Sequence, residues 1–168
     1  MNMSEFEVRQ LVTDDWSGFR LIRLESLAKY PQFFAPSQDE RNFTPEQWMA
    51  FLENKNAAIF GLFDSADLVG VSGIIRENNN PESHRALMMA SYIREEYRGK
   101  SLSRLFYDAR IAWARKQKDI DTLLIYHREG NLISRNANQR FGFKQVGSFK
   151  KTYLDGTEGL SLAYELKL

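Results

Sequence analysis

Arg98, Gly99, Lys100, Ser101, Ser103 and Arg104 crowd into one short stretch directly after an apolar run, Leu87 to Ile93. A basic turn between a strand and a helix suits an anion. The first N–H groups of a helix have no intrahelical partner, and the macrodipole adds partial positive charge there. Cationic side chains at 98, 100 and 104 add full charges, so a pyrophosphate is the natural guest. The pattern is neither GxGxxG nor GxxxxGK[ST], since Gly99 is its only glycine. Taken alone, it also reads as a solvated basic helix start.

A second polar group lies further on. Asp121 to His127 reads as a strand, and Asn131 stands where a helix N-cap would. Leu132, Ile133, Ala137 and Phe141 follow at near-helical spacing. Gly142 fits the left-handed position that ends a helix, and Phe143 opens the next strand. Ser134 and Asn138 share one side of that helix at i and i+4.

The two segments together resemble the GNAT superfamily of acyl-CoA-dependent N-acyltransferases. The family's cofactor motif, Arg/Gln-x-x-Gly-x-Gly/Ala, falls on Arg98, Ser101 and Ser103. Its Asn-initiated helix closing in Gly-Phe falls on Asn131 to Phe143. The likeness covers nearly the whole chain, most sharply Leu87 to Phe149. It implies a transferase that moves an acetyl group from acetyl-CoA to a primary amine by direct attack in a ternary complex. The acceptor would be a small molecule or a peptide. Arg98, Gly99, Lys100, Ser101, Leu102, Ser103 and Arg104 would hold the pyrophosphate. The main chain of Tyr92, Ile93 and Arg94 would meet the pantetheine arm. The strand carrying Ile125 would splay away to make room, and Asn131 and Asn138 would add contacts.

The sequence departs from the family at three places. Serine replaces glycine at 101 and 103, adding a Cβ where glycine lets the backbone approach a phosphate closely. It also adds a hydroxyl that can donate to phosphate oxygen. The family's frequent tyrosine acid falls at position 138, where this chain has Asn138. An amide is no acid. Tyr92, His127, Ser134 and Asn138 are therefore the catalytic candidates, with Tyr126 and Tyr153 as further hydroxyls. Glu25, Phe34, Glu77, His84 and Asp155 are candidates for the acceptor side, Glu25, Glu77 and His84 also as bases. The departures leave two alternatives: a catalytically weak acyl-CoA-binding module, or a transferase for a longer acyl-CoA lined by Met88 and Met89.

Composition bounds the rest. The length of 168 residues, 43% of them hydrophobic, fits one domain over 1–168 with a real core. No cysteine is present, so disulfides, thiolate metal sites and a cysteine nucleophile are excluded. This fits a reducing compartment, read as cytoplasmic. Two separated histidines do not make a metal site. A net charge of +1 gives no electrostatic footprint for nucleic acid. No apolar run is long enough to span a membrane, and Met1 to Phe6 carries no signal-peptide pattern.

The elements that must position these residues can also be read. Phe6 to Val12 is a strand, and Thr13 caps a helix from Asp14 to Ala28. An irregular aromatic segment runs from Tyr30 to Phe43. Thr44-Pro45-Glu46-Gln47 opens a helix reaching Glu53. Ala57 to Asp64 and Leu68 to Arg76 form a hairpin, and Asn78 to Pro81 a turn. Arg85 to Ile93 is the next strand. Leu102, Leu105, Phe106, Ala109, Ala112 and Trp113 mark a buried helix face. Phe143 to Lys151 and Gly159 to Leu166 form a last hairpin around Asp155-Gly156. Its alternating Leu160, Leu162, Tyr164 and Leu166 serve either a homodimer edge or the core. The expected fold is α/β: a mixed, mostly antiparallel sheet of about seven strands with helices on both faces.

Overall fold

The computed structural model describes residues 5–168, so the signal-peptide reading of Met1 to Ser4 lies outside the described residues. The strands are β1 (Phe6–Gln10), β2 (Ala57–Asp64), β3 (Asp67–Arg76), β4 (Arg85–Ile93), β5 (Thr122–Arg128), β6 (Lys144–Thr152) and β7 (Glu158–Lys167). The helices are α1 (Trp16–Lys29), α2 (Pro45–Glu53), α3 (Ser103–Lys116) and α4 (Leu132–Arg140). The sheet has seven strands, as expected from the sequence, in the order β1-β2-β3-β4-β5-β7-β6. Among the described residues only β4 and β5 pair in parallel. A parallel pair needs a crossover, and α3 supplies it.

The helices cover both faces. Leu11, Phe19, Ile22, Trp48, Ile59, Val71 and Tyr92 form the core beneath α1 and α2. Ile74, Met88, Leu102, Phe106, Leu123, Phe143 and Tyr164 belong to the larger core beneath α3 and α4. Met88 is sealed there, so it lines no acyl pocket. Burying side chains of this size contributes roughly 1.5–3 kcal/mol each.

Local chemistry sets the boundaries. Thr44 accepts from the Gln47 N–H at 3.2 Å while Gln47 Oε1 accepts from the Thr44 N–H at 2.9 Å, the expected capping box of α2. The start of α1 differs from expectation. Residues 13–15 form a 3-10 turn, and Asp15, not Thr13, accepts the Val12 N–H at 2.7 Å. Asp15 is held in place by Arg9 at 2.9 Å. On α3, Ala112 is exposed, and Tyr107, Arg110 and Ala114 lie inside. On α4, Leu132 and Ile133 are exposed, so the inward face is Ala137, Asn138 and Phe141. The C-terminal strand lies inside the sheet. β7 lies between β5 and β6, with Tyr164 in the core, so the exposed edge of the hairpin is β6.

Candidate active site

The parallel pairing of β4 with β5 runs from Arg85↔Thr122 to Met88↔Ile125 and stops. Beyond it β4 continues to Ile93 along β3, and β5 continues to Arg128 along β7. The sheet is thus split from Met89 and Tyr126 onward, as the family resemblance implied. β4 is bulged opposite Val71 to Gly73, and Ala90 there has φ of 59°, a left-handed value that costs a non-glycine residue about 1–2 kcal/mol.

The basic segment lies at the open end of this split. Residues 98–102 turn the chain from β4 into α3, with left-handed φ at Gly99 (76°) and Ser101 (58°). The glycine that the family places at 101 is therefore explained by backbone conformation, not only by close approach to phosphate. Ser103 is the first residue of α3, and Leu102 provides no side-chain cap. Ser101, Ser103 and Arg104 are exposed around the first turn, where the Leu105 N–H already bonds the Leu102 carbonyl at 3.0 Å. Lys100 lies over the Tyr97 ring at 5.4 Å.

Arg98 is turned the other way. Its Nε donates to the Ile93 carbonyl at 2.7 Å and its Nη1 to the Tyr30 hydroxyl at 3.1 Å. Tyr30 in turn donates to Glu95. The main chain of β4 also differs from expectation. The Arg94 N–H donates to Val69 of β3 at 3.0 Å. By strand alternation Tyr92 also turns toward β3, so Ile93 directs its main chain into the split. Its carbonyl is the group that Arg98 occupies.

Tyr92, Arg94 and Glu25 are brought together. The Tyr92 hydroxyl donates to Glu25 Oε2 at 2.7 Å, and Arg94 Nε donates to the same oxygen at 3.1 Å. Burial pushes the Glu25 carboxyl up, but the bonds from Arg94 and Tyr92 outweigh it and hold it below its ordinary value. Burial, then Glu25, push the Tyr92 hydroxyl up. At neutral pH the cluster is a carboxylate with a fully protonated phenol, which makes Glu25 an anchor for a cation and a weak base.

The acceptor candidates divide. Phe34 stacks beneath the Arg23 guanidinium at 5.1 Å, and its carbonyl accepts from the Leu154 N–H at 2.8 Å. The Asp155 N–H donates to Pro31 at 3.3 Å. Arg128, at the end of β5, donates to the carbonyls of Gln32 and Glu158 and to the Thr157 hydroxyl at 2.9–3.1 Å. The aromatic segment and the β6–β7 turn are therefore stapled together at the open end of the split. Glu77 and His84 do not join them. Glu77 pairs with Arg85 at 3.3 Å and His84 Nδ1 meets the Asp119 carbonyl at 2.6 Å, both at the start of β4. At about 3.3 Å per residue, the strand's length separates them from Ile93 by roughly 25 Å.

On the opposite face, Asn138 is wholly buried. Its Oδ1 accepts from the Tyr107 hydroxyl at 2.5 Å, and its Nδ2 lies 3.1 Å from His127 Nδ1. An amide nitrogen only donates, so the His127 proton sits on Nε2. Burial, aided by Arg135, lowers the His127 pKa and keeps it neutral. Its ring stacks on Tyr164 at 5.0 Å. Asn138 is thus buried with its amide oxygen and nitrogen engaged by Tyr107 and His127, where the sequence reading places a contact to the ligand. His127 is buried to 7% exposure and borders a cleft of about 280 Å³ with Asn131, Leu132 and Arg135. Asn131 caps α4 through the Ser134 N–H at 3.2 Å, as expected, which commits its side-chain oxygen. Ser134 lies one turn nearer the open end than Asn138 and is half-buried.

Three buried arginines, Arg23, Arg76 and Arg110, were not anticipated, and Arg76 pairs with Asp119 at 2.8 Å. Arg23 pairs with Glu40 through two bonds of 2.9 Å, and its Nη1 is buried without a partner. Arg110, at 1% exposure, donates from Nη1 to the Ser91 hydroxyl at 3.0 Å and from Nε to the Phe106 carbonyl at 3.1 Å. The signal for Arg110 was present: Leu102, Phe106, Arg110 and Ala114 recur at i+4, which places the arginine on the buried stripe.

Comparison with known proteins accords with this architecture. The sequence matches the acetyltransferase (GNAT) domain family over residues 6–144. No curated protein matches it. Among solved structures, an acetyltransferase of the GNAT family from Streptococcus pneumoniae is 17% identical, with a TM-score of 0.81 over 98% of this chain and 100% of that one. The ribosomal-protein-S5-alanine acetyltransferase from Vibrio fischeri is 19% identical, with a TM-score of 0.80 over 99% and 95% of the two chains. The protein yncA from Salmonella typhimurium, solved with its cofactor acetyl-CoA, is 14% identical, with a TM-score of 0.81 over 98% and 94%. The chain belongs to the GNAT acetyltransferase family. Among the described residues no helix is long and apolar enough to cross a membrane, and no cluster suits a metal ion.

Proposed function

We propose that this enzyme transfers an acetyl group from acetyl-CoA to a primary amine of a small molecule or peptide, as one GNAT domain acting in the cytoplasm. The observation that carries the reading is the end of β4–β5 pairing at Met88↔Ile125, with the Arg98–Ser103 turn at its mouth. The residues present fit the donor. Cations and first-turn N–H groups suit a pyrophosphate, and the open edge of β4 suits an extended amide arm.

Bound acetyl-CoA supplies an acyl thioester open to direct attack by an amine. The protein's part is positional. Residues 98–104 hold the phosphates, and Arg98 leaves the Ile93 carbonyl to meet them. The freed Ile93 main chain then pairs with the arm. Glu25, held by Tyr92 and Arg94, binds the incoming ammonium and aligns it. The proton that the amine must lose leaves through water, since Glu25 is too acidic and His127 is turned toward Asn138. The neighbouring segment 30–34 and the 153–158 turn line the acceptor side. A peptide amine is among the acceptors favoured, because the structurally similar Vibrio fischeri enzyme is named for a ribosomal-protein alanine.

The test is a thermal-shift titration with acetyl-CoA, then an amine and peptide panel read by release of the CoA thiol. Ligands that bind only the native state raise the melting temperature by mass action. Saturable binding with transfer to one acceptor class supports the reading. Saturable binding without transfer to any amine would establish a binding module. No shift at millimolar ligand would refute the donor assignment.

A further inference from the structure

Ser91 is the exposed residue of the β4 bulge, within the strand segment that no longer pairs with β5. Its hydroxyl has two partners behind it. Ser72 Oγ, wholly buried on β3, lies at 2.6 Å, and Arg110 Nη1, wholly buried on α3, at 3.0 Å. Arg110 can only donate. With Ser72 donating as well, Ser91 accepts twice, and its own proton is left for the cleft.

The charge behind Ser91 is unusual. Among the described residues no carboxylate pairs with Arg110; its partners are Ser91, the Phe106 carbonyl and the face of Tyr107 at 4.9 Å. Burial lowers its pKa to about 10, so it remains charged at neutral pH. A buried cation satisfied only by neutral acceptors is costly for stability. It also creates a positive potential whose shortest route to the cleft runs through the Ser91 hydroxyl. The inner end of the split, where β4 and β5 rejoin at Met88, is where the acyl end of an arm entering from Ser101 must stop.

We propose that Ser91 is a catalytic hydrogen-bond donor to the thioester carbonyl oxygen, polarised by Arg110 as a positioning residue. This rests on the acetyl-CoA reading above. The donor complements the main-chain N–H groups of β4 and strengthens as negative charge builds on that oxygen. Ser91 acts on the carbonyl oxygen and not on the leaving sulfur, so the departing thiolate takes its proton from water.

The test uses acetyl-CoA labelled with carbon-13 at the carbonyl, bound to the intact enzyme and read by isotope-edited infrared spectroscopy. The bound carbonyl stretch should lie below its solution frequency. Ser91→Ala should lose most of that displacement with acetyl-CoA affinity unchanged by calorimetry, and turnover should fall about 100-fold. Arg110→Met should weaken the displacement, Arg110→Lys should restore part of it, and neither should add to Ser91→Ala. Unaltered frequency in Ser91→Ala with acetyl-CoA still bound overturns the proposal and leaves the acetyl-CoA reading standing. Failure of the native enzyme to bind acetyl-CoA overturns both. Ser91 is exposed, so its alanine variant keeps the test decisive if Arg110→Met does not fold.

Discussion

Replacing Ser101 by glycine should stabilise the protein, although it removes a side chain and loosens a loop. Ser101 has a left-handed φ of 58°. For a residue with a Cβ that region costs about 1–2 kcal/mol. Glycine adopts it freely, but gains about 0.4–1 kcal/mol of entropy in the unfolded chain, which opposes the benefit. The net gain is about 0.5–1 kcal/mol. At this chain length that is a rise of roughly 1–4 °C in melting temperature. Ser103 is the internal control. It is the first residue of α3, where φ is helical and a glycine has no left-handed strain to relieve. Ser103→Gly should therefore cost about 0.5 kcal/mol through helix propensity. Urea unfolding of the two single variants, with unchanged denaturant slope, measures both signs. If Ser101→Gly destabilises, or if the two variants move together, the conformational account of the family glycine at 101 is wrong. The acetyl-CoA affinity of Ser101→Gly should be kept or improved; a large loss would show that its hydroxyl is a ligand.

Further expectations follow from single contacts. Arg98→Glu places a negative charge at the mouth of the split and should weaken acetyl-CoA binding at least tenfold; calorimetry showing native affinity would remove Arg98 from the phosphate site. Glu40→Ala leaves the Arg23 guanidinium buried and unpaired, so it should cost about 3–5 kcal/mol in chemical unfolding. A loss under 1 kcal/mol would show that water or another group replaces the carboxylate. The carboxyls of Asp15 and Glu25 both lie below their ordinary values of 3.8 and 4.5, Asp15 chiefly through its bond from Arg9. A depressed carboxyl contributes stability that is present above its unfolded value and lost as pH falls through its folded one. Melting temperature should thus decline below about pH 4.5, and Glu25→Gln should flatten part of that decline; a parallel curve for the variant would show that the Glu25 cluster carries no linkage.

The order and type of the elements were legible because each has a local cause. Thr44 and Gln47 announce α2, Asn131 announces α4, and Gly142, with φ of 89°, ends it. The candidate site was legible in the sequence only where its residues form one continuous segment, as at residues 98–104. Residues that depend on pairing across distance were harder to place. The resemblance implied that the strand carrying Ile125 splays away, but not that the pairing ends at Met88↔Ile125, because register is a property of two strands. Glu77 and His84 look like acceptor residues until strand direction puts them at the far end of β4. Asn138 aligns with a family acid, yet its amide is spent between Tyr107 and His127. Its place on the inward side of α4 was visible, but which polar partners would face it from α3 and β5 was not.

Ala90 and Ser101 lie at opposite ends of the segment assigned to the cofactor, and both are non-glycine residues with left-handed φ, 59° and 58°. Strain of this kind persists only where the surroundings enforce it, and it gathers at sites whose geometry matters. Ala90 is enforced by the bulge that sets Ser91 before Arg110, and Ser101 by the turn that starts α3 beside the open split. The cost falls at the two points where β4 must stop behaving as an ordinary central strand. At the first the bulge interrupts the ladder with β3 around Ala90 and Ser91 and pairing resumes on either side; at the second the chain enters the first turn of α3 at the mouth. The last residues of β4, from Ala90 to Ile93, and the turn of residues 94–100 set how far apart these features stand. A ligand that uses both must be long, extended and anionic at one end and reactive at the other. Acetyl-CoA, the donor proposed above, has that shape.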